Sequence, residues 1–212
     1  MGVGKSTLVR RMMDEMAEEE EGIKVAHISE AVDVWRNFHG EDLLQRAIDV
    51  GDNLLEFQML VLTTYREAFN KCREDGVDIV LLERSPMSAV HVFTRLAAEE
   101  GKLTPVQHEI IKGAYGVINA ASDATHVVCL WNDKADEELF FAALNDRVYR
   151  RDGPVRANEG WNRRVFNAYR GFFEDFVPNN CERYYVIDPL QRQEDIVREM
   201  KDFMKTYEDI FD

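Results

Sequence analysis

The residues densest in potential chemistry open the chain. "GVGKST" (2–7) is the second half of the phosphate-binding pattern G-x-x-x-x-G-K-[ST]. Glycines such as Gly2 and Gly4 leave room for backbone N–H groups, with that of Val3, to close around phosphate oxygens. Lys5 reaches the outer phosphates, the Ser6 hydroxyl can ligate Mg²⁺, and Thr7 continues into a helix whose positive end faces the anion. The same residues also read as a glycine-rich turn before a helix. The opening glycine of the full pattern would precede Met1, as would the apolar strand that feeds such a loop.

Three further stretches combine charge with a strand or helix end. "HISEAVDVW" puts Glu30 just past an apolar run, where a carboxylate can take a proton from a hydroxyl; taken alone, an exposed loop glutamate is the better reading. "LLERSPMSAVHVF" sets Glu83 and Arg84 at the end of a second apolar run, as part of a site or as a structural ion pair. "DRVYRRDGPVRANEGW" gathers Arg147, Arg150, Arg151 and Arg156 around a Gly-Pro turn. Such a cluster suits a lid that neutralises a transferring phosphoryl group. It also suits a helix C-terminus, where cations meet the dipole. The five histidines have no metal-ligand spacing and are assigned no chemistry.

The elements that must position these residues alternate. "IKVAHI" (23–28), "VDIVLL" (77–82), "THVVCLW" (125–131) and "RYYVI" (183–187) read as strands. Helical periodicity fills the intervals: 6–20, the long apolar 53–74, 87–100, a helix with Thr104 as N-cap and Pro105 at its first position, 134–151, 159–176, and the segment from 193. Strand–helix alternation implies a parallel sheet covered by helices on both faces, with ligands at the carboxyl ends of the strands.

Composition bounds the reading. With 212 residues, 45% of them hydrophobic, the chain is expected to form one domain with a real core. A formal charge of −14 argues against a nucleic-acid surface. Three dispersed cysteines make neither a zinc site nor a disulfide framework and suit a reducing compartment. The sequence lacks both a signal-peptide pattern and an apolar run long enough to span a membrane, so a cytoplasmic protein is expected.

Taken in order, the half P-loop, "SEAVDVWRN", "FQ" in the long helix, "LERSPMSAVHVF", "DRVYRR" with its following arginine and glutamate, and the late "YYVIDP" resemble the deoxynucleoside kinases. That family includes the deoxycytidine, deoxyguanosine and mitochondrial thymidine kinases, the insect multisubstrate enzyme and the herpesvirus thymidine kinases. The resemblance spans nearly the whole chain. It implies an α/β three-layer P-loop kinase fold with a five-stranded parallel sheet, whose first strand and loop glycine lie outside this chain, and a single domain over 1–212 with a lid at about 147–160.

The resemblance also implies roles. Glu30 is the general base for the nucleoside 5′-hydroxyl, Arg84 stabilises charge beside it, and Glu83 helps hold Mg²⁺ with Ser6. Trp35, Phe57 and Phe93 wall the base pocket, and Gln58 pairs with the base edge. Arg147, Arg151 and Arg156 act on ATP and the transferring phosphate, Glu159 contacts the sugar 3′-hydroxyl, and Asp188, Pro189 and Leu190 line the adenine pocket. Ala89 stands where the deoxycytidine kinase branch carries an acid. Its small side chain leaves room for a 5-methyl group and points to thymidine or broad pyrimidine use. The sugar-contacting tyrosine of the family has no counterpart in "LLQRAIDVGDN", and "DGPV" lengthens the lid. The implied activity is transfer of the γ-phosphate of ATP to a deoxynucleoside, by a homodimer built through helices such as 53–74. The competing readings are a thymidylate-type monophosphate kinase, and a nucleotide-binding member without turnover.

Overall fold

The structure, a computed structural model, describes residues 5–19, 22–49, 51, 53–119, 126–132, 136–152, 159–181 and 183–205. The chain divides into two compact units, one from residues 1–15 and 125–212, the other from 16–124, with the division inside the first helix, α1 (Lys5–Glu19).

In the 16–124 unit, β1 (Val25–Ile28) pairs in parallel with β2 (Ile79–Leu82), in the register Val25↔Ile79 through Ile28↔Leu82. The crossover between them holds α2 (Val32–Arg36), α3 (Leu43–Asp49) and α4 (Leu54–Glu74). Buried positions 54, 57, 58, 61, 62 and 65 make one face of α4, the spacing of a helix half sunk in a core. Five of the six are apolar or aromatic. The sixth is Gln58, 4% exposed. α4 packs on β1 and on α7 (Pro105–Asn119). Thr104 and Gln107 form the capping box that starts α7: the Thr104 N–H donates to Gln107 Oε1 at 2.8 Å, and the Gln107 N–H donates to Thr104 Oγ1 at 3.2 Å.

The other unit pairs β3 (His126–Leu130) with β4 (Arg183–Ile187), also in parallel, in the register His126↔Arg183 through Leu130↔Ile187. Between them run α8 (Glu137–Asp152), α9 (Glu159–Gly171) and α10 (Val177–Asn180). Its core is aromatic. Trp131 lies 5.0–5.7 Å from Phe140, Phe166 and Phe173, and its indole N–H donates to Glu174 Oε1 at 2.8 Å. α11 (Gln193–Lys205) follows β4, and its Phe203 stacks on Tyr185 at 5.3 Å. β4 nevertheless leaves Tyr184, Tyr185 and Val186 more than a third exposed. The apolar pattern of "RYYVI" overstates its cover, because tyrosine can bury a ring while leaving its hydroxyl wet.

Helical periodicity over 87–100 predicts one helix, and the structure breaks it in three. α5 (Pro86–Ser88) gives way to π-helical turns over Ala89–Thr94, then α6 (Arg95–Glu99). The Thr94 hydroxyl donates to the Ala89 carbonyl at 3.0 Å, a five-residue reach that supports the widened turn. Likewise the predicted helix 159–176 ends at Gly171 and passes through π-helical turns (Phe172–Phe176) into α10. There Pro178 has no N–H to donate one turn back. No helix of the described residues is long and apolar enough to cross a membrane.

His91, on the first of these π segments, packs edge-on to Tyr115 with ring centroids 5.6 Å apart. Burial, and then the charges of Lys112, Arg95 and His108, lower its pKa from 6.5. A group with a lowered native pKa is protonated first in the unfolded chain. Below about pH 6.5 the unfolded state therefore binds the extra proton, and stability falls with falling pH until the native value is passed. His126, lowered by burial and by Arg183, contributes in the same sense. Melting midpoints measured from pH 7.5 to 5 are expected to fall less steeply for His91→Phe than for the parent chain, with the His126 share of the slope remaining. An unchanged slope removes His91 from the acid response.

Candidate active site

The register of β1 and β2 builds the centre of the site. Ile28 and Leu82 are partners, and two residues further along each chain stand Glu30 and Arg84. Arg84 Nη1 meets Glu30 Oε1 at 2.9 Å, with side-chain exposures of 28% and 21%. The pair is therefore neither sealed in the core nor fully solvated. His27 and Leu81 are also partners, and two residues past Leu81 lies Glu83. His27 Nε2 is 3.3 Å from Glu83 Oε1. Sequence reasoning gave His27 no role. The signal appears only with the strand register: in parallel strands, a residue two positions past a partner shares its face.

The "ERSP" stretch turns the chain as well as carrying charge. Ser85 is extended (φ −105°, ψ 157°), its side chain accepts from the Ser88 N–H at 3.2 Å, and Pro86 follows at the first helical position. This stop holds Arg84 at the strand end and begins the turns that carry Ala89 and Phe93. The Arg84 guanidinium stands over the Phe93 ring at 4.9 Å, within cation–π range. Ala89 is buried, at 8% exposure.

α4 supplies the next wall. Phe57 meets Trp35 edge-on, with centroids 5.9 Å apart and an interplanar angle of 89°. Trp35, from a polar stretch of sequence, is 5% exposed, and its indole N–H donates to Thr64 Oγ1 at 3.2 Å. Gln58 is the exception among the buried polar side chains. Ser88, Thr94 and Asn162 each make a side-chain hydrogen bond. The Gln58 amide makes none among the described residues, although it sits in the buried stripe of α4.

The remaining predicted residues divide in two. Lys5, Ser6 and Thr7 form the first turn of α1, while Gly2, Val3 and Gly4 lie outside the described residues. Arg147, Arg150 and Arg151 lie in the last turns of α8, Glu159 opens α9, and Arg156 lies outside the described residues. Past β4, Asp188 builds a turn: Oδ1 accepts from the Leu190 N–H at 2.8 Å and Oδ2 from the Asn132 amide at 2.7 Å. Pro189 is buried and Leu190 is 38% exposed. Each unit offers an oxygen donor of the type that suits Mg²⁺: Ser6, a hydroxyl at a helix start, in one, and Glu83, a carboxylate at a strand end, in the other.

Two solved structures of the deoxyadenosine kinase of M. mycoides, one with the products dCMP and a flexible dCDP bound and one with dATP bound, superpose on this chain with a TM-score of 0.69. Each is 13% identical, over 97% of this chain and 95% of theirs. At that identity the likeness establishes the fold, that of the P-loop kinases. The sequence matches the deoxynucleoside kinase family over residues 1–151, and the chain belongs to that family. It is thus an ATP-dependent enzyme that phosphorylates deoxynucleosides. A sequence search of curated proteins finds no match.

Proposed function

We propose that the chain transfers the γ-phosphate of ATP to the 5′-hydroxyl of a deoxynucleoside, with Glu30 as general base. The observation that carries this reading is the partly exposed Glu30–Arg84 pair at the carboxyl ends of two parallel strands. In it a proton acceptor is held by a guanidinium that has further N–H groups for developing negative charge. The hydroxyl proton passes to the Glu30 carboxylate as the oxygen attacks the γ-phosphorus, and ADP leaves with the electrons of the broken P–O bond. Lys5 and the loop amides bind the phosphates. Arg147, Arg151 and Arg156 neutralise them from the lid, Glu159 takes the sugar 3′-hydroxyl, and Asp188, Pro189 and Leu190 line the adenine site. Ser6 and Glu83 would hold Mg²⁺, which when bound neutralises charge on the phosphate oxygens. The 1–212 chain acts as a single kinase domain.

For the base, the Gln58 amide offers two donors and an acceptor to a polar edge, and Trp35, Phe57 and Phe93 supply its apolar walls. The small Ala89 supports a thymidine or broad pyrimidine preference. A second reading, deoxyadenosine, is favoured by the activity named for the structural neighbours. Steady-state phosphorylation of the four deoxynucleosides separates the two, and a clear lead for deoxyadenosine overturns the pyrimidine preference.

Glu30→Gln keeps size and hydrogen bonding while removing the base. We expect kcat to fall by roughly 10²–10⁴ with little change in ATP affinity; near-native kcat removes Glu30 from the mechanism. Ala89→Asp would set a carboxylate in an apolar wall, where it is tolerated only against a donor such as the cytosine amino group. The thymidine-to-deoxycytidine ratio of kcat/KM is expected to fall, and an unmoved or rising ratio means that residue 89 does not face the base.

A homodimer is the proposed assembly, with a shift of surface. The outward residues of α4, among them Glu56, Thr63, Arg66 and Glu67, are polar. Its neighbour α7 turns out Val106, Ile110 and Val117 at 68%, 48% and 65% exposure, one stripe at helical spacing. A second copy covering that stripe accounts for it. Sedimentation is expected to give a dimer for the parent chain and a monomer for Val117→Glu; a monomeric parent overturns the proposal.

A further inference from the structure

We propose that His27 is a positioning residue for Glu83, its imidazole holding the carboxylate at the end of β2 in the orientation Mg²⁺ requires. The inference rests on the metal role given to Glu83 above. His27 lies inside β1, and its register partner Leu81 is two residues before Glu83. The imidazole and carboxylate therefore meet through the backbone ladder and do not depend on a mobile loop. The contact is Nε2 to Oε1 at 3.3 Å, between side chains 17% and 10% exposed. A carboxylate with so little water around it takes its orientation from the groups that donate to it. His27 Nε2 is itself buried and makes no aligned hydrogen bond in this conformation. A small rotation of ring or carboxylate closes the 3.3 Å approach into one, as catalytic contacts tighten when ligands arrive. Groups that orient a metal's carboxylate are worth roughly 10–100-fold in affinity or activity. The bland reading is a half-buried His–Glu pair that only stabilises the sheet.

The test uses the full chain and a readout independent of turnover: Mn²⁺ affinity by paramagnetic-resonance titration with a non-hydrolysable ATP analogue bound, alongside kcat, nucleoside KM and melting midpoint. His27→Val, which suits a strand but cannot donate, is expected to weaken Mn²⁺ binding and lower kcat by roughly 10–100-fold, with nucleoside KM within about twofold of the parent. His27→Gln, which keeps an N–H donor at similar reach, is expected to restore most of both. In a Glu83→Gln background His27→Val should change nothing further, because the two act as one unit.

A His27→Val chain that melts lower but binds Mn²⁺ and turns over like the parent overturns the proposal, as does full additivity with Glu83→Gln. If His27→Val does not fold, the comparison passes to His27→Asn, whose shorter amide falls short of Glu83; parent-like Mn²⁺ affinity there is equally fatal. Native Mn²⁺ affinity in Glu83→Gln alone removes the metal role itself. Impaired Glu83→Gln beside parent-like His27→Val keeps that role and removes only the positioning.

Discussion

The candidate acceptor site depends on one backbone constraint, the parallel register of β1 and β2. Parallel strands offset by a fixed register bring the residues beyond their ends together in a fixed order. Here the continuation of Ile28↔Leu82 brings Glu30 to Arg84, and the neighbourhood of His27↔Leu81 brings Glu83 to His27. A slip of one residue would exchange the faces on which all of these stand. The apolar residues of the strands and the buried face of α4 fix that register, so the charges need not find each other. They are delivered by a ladder whose energy comes from elsewhere.

The same logic explains why the polar exception in the core lies where it does. Gln58 occupies a position of the α4 stripe that Leu or Phe would fill at lower cost. Its neighbours on that stripe, Leu54, Phe57, Val61, Leu62 and Tyr65, bury enough surface to hold the helix whatever stands at 58. The backbone that carries the amide is therefore held by its neighbours on the stripe. Ser85 does comparable work at the strand end. By ending β2 and capping the next helix it fixes where Arg84 points, and the widened turns that follow bring Phe93 beneath the guanidinium.

Much of this was legible in the amino-acid order. The four strands, the capped α7 and the stripe of α4 follow from periodicity and end signals that tertiary packing reinforces. What escaped is instructive. The π-helical turns at 89–94 leave no mark in a hydrophobic pattern, because widening the backbone turn, which the Thr94 hydroxyl supports through the Ala89 carbonyl, does not change which residues are apolar. The hydrogen bond from the Trp35 indole to Thr64 and its edge contact with Phe57 could not be read from the sequence, because both partners stand on a separate helix. His27 looked like any strand histidine, since its partner is separated by more than fifty positions and is specified only once the strand register is known.

The charge balance gives the site its last constraint. A net charge of −14 raises a field that opposes a polyanionic nucleotide at long range. Salt confines that field: at physiological ionic strength it decays over about 8 Å. Capture therefore falls to contacts inside that distance, where local charge outweighs net charge. The chain places cations accordingly. Lys5 stands at a helix start, Arg84 at a strand end, and four arginines lie within ten sequence positions, in a sequence with 26 basic and 40 acidic residues. Arg84 is matched by Glu30, so it adds little net attraction of its own. In the proposed reaction the Glu30 carboxylate is neutralised when it takes the hydroxyl proton, which frees the guanidinium for the charge gathering on the transferring group. A paired base and cation thus keep the site near neutral before the reaction and turn it cationic as the reaction proceeds. A protein that repels nucleotides at a distance gains from a cation that becomes available only at the moment of transfer.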